Sequence, residues 1–112
     1  MVGITLTHIR QIEELIQMNN RIVCVEEFVL GNLYKIHKIR KEDYGQIWLY
    51  KTVNQIDLYL ENPLNFQLNV NDVFMYLETM FICWENYYIK ILINNIICYM
   101  CLINEEEFEE LT

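Results

Sequence analysis

The alternation of apolar and polar residues along the chain predicts several half-buried β-strands. It is cleanest in residues 64–70, where Leu, Phe, Leu and Val alternate with Asn and Gln. A period of two is expected where one face of a strand packs on a core and the other meets water. Residues 21–30, 46–53 and 56–61 are also rich in β-forming side chains. We therefore expect strands in these four segments, with a break at Asn62-Pro63.

Two other segments have apolar residues at helical spacing. Residues 5–18 carry an apolar stripe opposite a polar face, and residues 72–85 follow a possible cap at Asn71 or Asp72. Both segments are therefore predicted to be helices. Their inner faces would be formed by Leu6, Ile9, Ile12, Leu15 and Ile16 in the first, and by Val73, Leu77, Met80, Phe81 and Trp84 in the second.

The end of the chain combines an apolar region with an acidic one. Residues 87–93 and 96–103 flank Asn94-Asn95, which favours a hairpin with a two-residue turn, although a buried helix has the same apolar pattern. Residues 105–112 are then predicted to form an acidic short helix or tail. The predicted fold class is α+β, a mostly antiparallel sheet with two helices and this C-terminal hairpin.

Length and composition indicate one domain. The chain has 112 residues, of which 54% are hydrophobic, and it contains few glycines and one proline. We expect a single globular domain at 1–104, followed by the acidic segment 105–112. The residues expected to share its core are Ile9, Ile12, Ile16, Ile47, Leu49, Leu58, Leu77, Phe81 and Trp84.

The sequence carries no motif for catalysis or for a cofactor. It has no glycine-rich phosphate loop, and serine is absent, which excludes a serine nucleophile. Cys98 and Cys101 have Cys-x-x-Cys spacing, but on a strand they would point to opposite faces and share no metal. We therefore predict a protein that is not an enzyme, binds neither cofactor nor metal, and keeps its four cysteines reduced.

The N-terminus lacks the pattern of a signal peptide, and no long apolar stretch is free of charged or amide residues. These features predict a cytoplasmic protein that does not bind membranes. Alanine is absent, whereas Ile, Asn and Tyr, which have AT-rich codons, are abundant. We expect an AT-rich source genome, such as that of a low-GC bacterium, a phage or a virus.

Charge is distributed unevenly along the chain. Residues 1–56 carry seven basic and six acidic residues, a net charge of +1, whereas residues 57–112 carry one lysine and ten acids, a net charge of −9. A docking helix would use Phe108 as an apolar anchor and the surrounding glutamates to steer a basic partner. The residues predicted to bind this partner are Glu105, Glu106, Glu107, Phe108, Glu109, Glu110, Asp57 and Glu61.

These features lead to a functional hypothesis. A strongly acidic domain is attracted to basic surfaces, including those of nucleases and other nucleic-acid effectors. We expect a stoichiometric inhibitor that occupies such a surface, of the anti-CRISPR, anti-defence or toxin-immunity type. The alternative is a homo-oligomeric structural or adaptor protein of a phage or virus, in which the acidic residues only maintain solubility.

A direct role in nucleic-acid binding is a weaker hypothesis. Aromatic residues that could stack on bases interleave with basic residues in the first half of the chain. They are Tyr34, Tyr44, Trp48, Tyr50 and Tyr59, with Lys35, Lys38, Arg40, Lys41 and Lys51. The net charge of −8 opposes binding of phosphates, so we predict no direct nucleic-acid partner.

Overall fold

A computed structural model describes residues 20–40 and 45–111, and these residues form one antiparallel sheet of eight strands. The strands, in chain order, are β1 (Ile22–Val23), β2 (Leu33–Lys38), β3 (Gln46–Asn54), β4 (Tyr59–Asn69), β5 (Val73–Cys83), β6 (Asn86–Ile93), β7 (Ile96–Leu102) and β8 (Glu107–Glu110). Their order across the sheet is β1-β8-β2-β5-β6-β7-β3-β4. The helical structure in these ranges is a single short 3-10 turn, Val25–Glu27.

The sheet is curled, because a very short turn joins its β4 edge to β5 in its interior. The amide of Asp72 donates to the carbonyl of Asn69 at 3.0 Å, which closes the turn. The amide of Asn71 donates to the carbonyl of Ile36 in β2 at 2.8 Å, and the amide of Ile36 donates to the carbonyl of Asp72 at 2.9 Å. The end of the edge strand thus lies against β2, and the sheet encloses its own concave face.

The core fills this concave face. Inward-pointing residues alternate with outward ones along the strands, as the period of two requires. Tyr34, Phe74 and Phe108 lie at its centre beside Phe28, whose ring stacks on Tyr34 with a centroid distance of 4.2 Å. The other buried apolar residues are Val23, Val25, Ile36, Ile39, Ile47, Leu49, Leu64, Leu68, Tyr76, Ile89, Ile91, Cys98, Met100 and Leu102.

The α+β prediction is wrong, because the described chain is almost entirely antiparallel sheet. The helix predicted at 72–85 is strand β5. Its pairing with β6 is interrupted by irregularities between Tyr76 and Glu78 and between Thr79 and Phe81, which break the strict alternation of faces. The helix predicted at 5–18 lies outside the described residues.

Two further expectations about the strands need correction. The short helix or tail predicted after residue 104 contains strand β8, which lies between β1 and β2. The residues that follow position 104 are therefore part of the sheet. The break predicted at Asn62-Pro63 lies inside strand β4, where Asn62 has a positive φ and the pairing with β3 is irregular between Pro63 and Gln67. Proline is tolerated there because β4 is an edge strand. The amide that proline lacks is not needed for hydrogen bonds to a strand on the outer side of β4.

The predicted hairpin at the end of the apolar region is present as β6 and β7. Asn94 and Asn95 form its turn, both with positive φ, which is the backbone conformation that asparagine tolerates in tight hairpins. In the strand predicted at 21–30, only Ile22–Val23 is extended and paired. The 3-10 turn and a tight turn with Gly31 at φ +83° occupy most of the remainder.

The predicted core is correct only in part. Ile47 and Leu49 are buried, but Leu58 and Trp84 are exposed, and Leu77 and Phe81 are half-buried. The exposed pair lies in hairpin turns, where no neighbouring strand covers the side chains. Ile9, Ile12 and Ile16 lie outside the described residues.

Candidate functional site

The acidic C-terminal segment is integrated into the sheet. Phe108 is fully buried and packs edge-on against Phe28, with ring centroids 4.9 Å apart. Glu109 is buried, and Glu107 and Glu110 are half-buried. Phe108 therefore holds the domain together instead of presenting an apolar anchor at the surface.

Two of the glutamates in β8 are neutralised within the domain. Lys35 Nζ in β2 lies 2.9 Å from Glu109 Oε2, and Asn20 Nδ2 donates to the other oxygen of this carboxylate at 3.1 Å. The hydrogen bonds from Lys35 and then Asn20 lower the pKa of Glu109. Arg21 pairs with Glu110 at 3.0 Å. These charges contribute less to long-range attraction than the sequence alone suggested.

The remaining predicted partner-binding residues lie in two places. Glu105 is exposed, and Glu106 is buried in the turn between β7 and β8, where its amide donates to the carbonyl of Ile103 at 3.2 Å. Asp57 is exposed in the turn between β3 and β4, and Glu61 is half-buried in β4. The role of these carboxylates in binding a partner stays a prediction.

Between these two places lies a groove on the convex face of the sheet, with a cavity volume of about 350 Å³. Four aromatic residues line it, together with one cationic and one anionic side chain. We call this the aromatic groove, and define it by Arg40, Trp48, Tyr50, Tyr59, Tyr88 and Glu106; it is completed by Gln46, Ile47, Leu60, Asn86, Cys101 and Ile103.

The strand alternation places these rings on the outer face. In β3, Ile47 and Leu49 point into the core, so Trp48 and Tyr50 point outward. Tyr88 in β6 lies opposite Cys101 in β7, on the same outer face. The groove therefore follows from pairing of β3 with β7 and of β7 with β6.

The rings differ in how strongly they are held. Trp48 is 52% exposed and Tyr59 is 45% exposed, so much of each ring is available for contact. Tyr88 is half-buried and stacks on Phe81, with ring centroids 4.3 Å apart. Burial, and secondarily the neighbouring Cys101, raises the pKa of Tyr88, which keeps its phenol neutral. One wall of the groove is thus fixed by packing.

The floor of the groove carries opposite charges. Arg40 follows β2, next to the buried Ile39, and its side chain is half-buried. Glu106 is only 2% exposed, an unusual position for a carboxylate. A second, more polar cavity adjoins the groove at Arg40 and is lined by Lys38, Asn104, Glu105 and Glu107.

Sequence reasoning found part of this groove. Trp48, Tyr50, Tyr59 and Arg40 belong to the aromatic and basic set identified in the first half of the chain, and the structure brings them together. Tyr34, from the same set, lies in the core, while Tyr44 and Lys41 lie outside the described residues. Tyr88 was missed, although the register set by a two-residue Asn94-Asn95 turn would have placed it opposite Cys101.

The cysteines are free thiols in this structure. Cys98 points into the core and Cys101 outward, as expected for residues three apart on a strand. Desolvation raises the pKa of Cys98 to about 11, which disfavours the reactive thiolate. Across residues 20–40 and 45–111, no cluster of three or more His, Cys, Asp or Glu side chains has an arrangement suited to a metal ion.

Comparison of the chain with models of known families, with curated proteins and with solved structures found no match. Within the described ranges, no helix has the length and apolar character needed to cross a membrane.

Proposed function

We propose that this protein is a small acidic binding protein that acts without catalysis, as a cytoplasmic stoichiometric inhibitor of a nucleic-acid-handling enzyme. It would occupy a basic surface of that enzyme, in the manner of an anti-defence or immunity protein. The observation that carries this proposal is the open aromatic groove, which lies between the acidic β3–β4 hairpin and the acidic turn before β8.

The residue types in the groove are those that dominate the energetics of protein interfaces. Tryptophan, tyrosine and arginine are enriched among residues whose truncation strongly weakens binding. Trp48, Tyr50, Tyr59 and Arg40 supply all three types within one concave surface. This supports binding of a macromolecular partner at the groove.

Charge supports a basic partner. The chain has a net charge of −8, and Asp57 and Glu105 are exposed in the two segments that contribute Tyr59 and Glu106 to the groove. Acidic residues at the rim of an interface accelerate association with a basic surface and repel other anions. The partner we propose therefore presents lysine or arginine side chains of the kind that otherwise bind phosphates.

The experiment combines capture with titration. The immobilised full chain is used to capture proteins from the lysate of a bacterium with an AT-rich genome, and each captured nucleic-acid enzyme is assayed with increasing amounts of the protein. We expect inhibition that saturates at equimolar protein. Trp48→Ala should weaken inhibition at least about tenfold, as for a central aromatic contact, whereas Ile97→Thr, at an exposed position outside the groove, should not.

A specific observation favours a second candidate, the homo-oligomeric structural or adaptor protein. The outer edge of β4 pairs with no strand among residues 20–40 and 45–111, and Ile56 is exposed in the turn before this strand. A free edge strand can pair with a second copy. Light scattering during size-exclusion chromatography distinguishes the two: a stable oligomer that captures and inhibits no enzyme would overturn the inhibitor proposal.

A further inference from the structure

We propose that the aromatic groove is a receptor for an arginine side chain of the partner. This inference deepens the proposed function, on which its biological meaning rests, because it assigns a chemical group to the groove. The guanidinium would stack on the exposed aromatic rings and be attracted by the acidic side chains in and beside the groove, which outnumber the basic ones there.

The size and walls of the groove suit one planar cationic group. Its volume of about 350 Å³ is near the lower end of the range for small-ligand pockets, about 300–1,000 Å³. Trp48, Tyr50, Tyr59 and Tyr88 surround this space. Cations bind over the faces of tryptophan and tyrosine, and a guanidinium also stacks on them because it is planar.

Electrostatics favours a cation over a phosphate. Within the described lining, Arg40 is accompanied by Glu106, so the floor has no excess of positive charge to attract an anion. Lys38 adds a cation in the adjoining cavity, but Glu105 and Glu107 line that cavity as well. Together with the net charge of −8, these carboxylates give the region a potential that attracts cations.

The same observations disfavour a nucleobase, which also stacks on aromatic rings. A nucleotide or a single strand would bring phosphates toward Glu105, Glu106 and Glu107, and these three carboxylates outnumber Arg40 and Lys38 in the lining of the two cavities. Single-strand binding grooves are positively charged along the backbone path. An arginine side chain can both stack on the rings and be attracted by the carboxylates. A lysine side chain is attracted by the same charges but has no planar group to stack on the rings.

The test uses peptides whose charge is changed at constant shape. The probes are a short peptide with arginines spaced by glycines, the same peptide with citrulline, the same peptide with lysine, and uridine monophosphate. Trp84→Phe leaves Trp48 as the only tryptophan, so that its fluorescence reports on the groove. We expect the arginine peptide to bind at least about tenfold more tightly than the citrulline peptide, with lysine intermediate and uridine monophosphate weakest.

Matched variants locate the site. Tyr59→Ser and Trp48→Ala should each reduce the affinity for the arginine peptide several-fold. Both side chains are exposed, so both variants should keep the fold, which circular dichroism checks. Because Trp48→Ala removes the fluorophore, its binding is measured by calorimetry. Ile97→Thr serves as the control with unchanged affinity, because Ile97 is exposed on β7 outside the groove.

The outcomes separate this inference from the proposed function. Equal binding of the arginine and citrulline peptides, preference for uridine monophosphate, or unchanged binding by both groove variants would each overturn the arginine receptor. If Trp48→Ala inhibits the captured enzyme as well as the wild type does, the receptor fails and the inhibitor proposal survives. If the arginine peptide binds at the groove but no enzyme is inhibited, the receptor is supported and the inhibitor proposal fails.

Discussion

Residues with positive φ show where the sequence and the backbone agree and where they conflict. Asn71, Asn94 and Asn95 occupy this conformation in turns and Asn62 occupies it within β4, and asparagine tolerates it better than most other non-glycine residues. Trp84 has φ +57° and its side chain is 93% exposed, at the first position of the turn between β5 and β6. Its backbone conformation is therefore unfavourable and is not offset by burial.

We predict that Trp84→Gly stabilises the protein. A left-handed conformation costs a residue with a Cβ roughly 1–2 kcal/mol, and the greater freedom of glycine in the unfolded chain offsets part of this gain. The expected net increase in the free energy of unfolding is about 0.5–1 kcal/mol, measured by urea denaturation. Asn94→Leu, at the first position of the turn between β6 and β7, is the inverse control and should lower stability. A loss of stability in Trp84→Gly would mean that the indole makes packing contacts that its exposure does not suggest.

At the scale of elements, the sequence pattern was sufficient to predict a strand where β-forming residues were bounded by residues that favour turns. The β6–β7 hairpin was predicted because Asn94-Asn95 separates two β-forming runs, and β3 was predicted from its composition. Strand β5 was missed because its pairing is irregular. Phe74, Tyr76 and Thr79 pair with the buried residues Tyr34, Ile91 and Ile89, and the intervals between them along the chain are two and three residues. Such spacing resembles a helical stripe.

Strand β8 was missed for a different reason. Its glutamates indicate a solvated segment, and only its neighbours in the sheet supply Lys35 and Arg21 as charge partners. These partners are distant in sequence, so no local pattern reveals that the segment is covered on both edges. Phe108 was the local signal, and it marks a core position instead of a docking anchor.

We predict that Phe108→Ala destabilises the domain by about 3–5 kcal/mol, the range for truncation of a buried phenylalanine. Its ring packs against Phe28 and Phe74, and the small residue would leave a cavity among aromatic rings that are fixed by other strands. Chemical denaturation gives the free energy of unfolding, with Glu105→Gln as an exposed neighbour expected to change it by less than about 0.5 kcal/mol. A loss below about 1 kcal/mol for Phe108→Ala would contradict the placement of β8 in the sheet.

At the scale of the whole molecule, the curled sheet explains why the site could be predicted only in part. The aromatic groove combines residues from β3, β4, β6 and the segments after β2 and β7. The sequence identifies which aromatics are near basic residues along the chain, but not which faces meet after the sheet curls. It also gives the total charge of −8 without showing that Glu109 and Glu110 are paired internally.

This division of charge leads to the last prediction, which concerns Asp57, Glu61 and Glu105. They are at least partly exposed and form no ion pair with another residue in 20–40 or 45–111, so they are the carboxylates suited to steering a basic partner. In the variant with Asp57→Asn, Glu61→Gln and Glu105→Gln, we expect association with the arginine peptide to slow by about fivefold at low ionic strength. Its rate should also depend less on salt, because fewer charges remain to be screened.

The dissociation rate should change little in this triple variant, whereas Trp48→Ala should raise it, since a ring contributes contact and not long-range attraction. Stopped-flow measurements over a range of salt concentrations separate the two rates. Unchanged association and salt dependence in the triple variant would show that these carboxylates serve solubility alone.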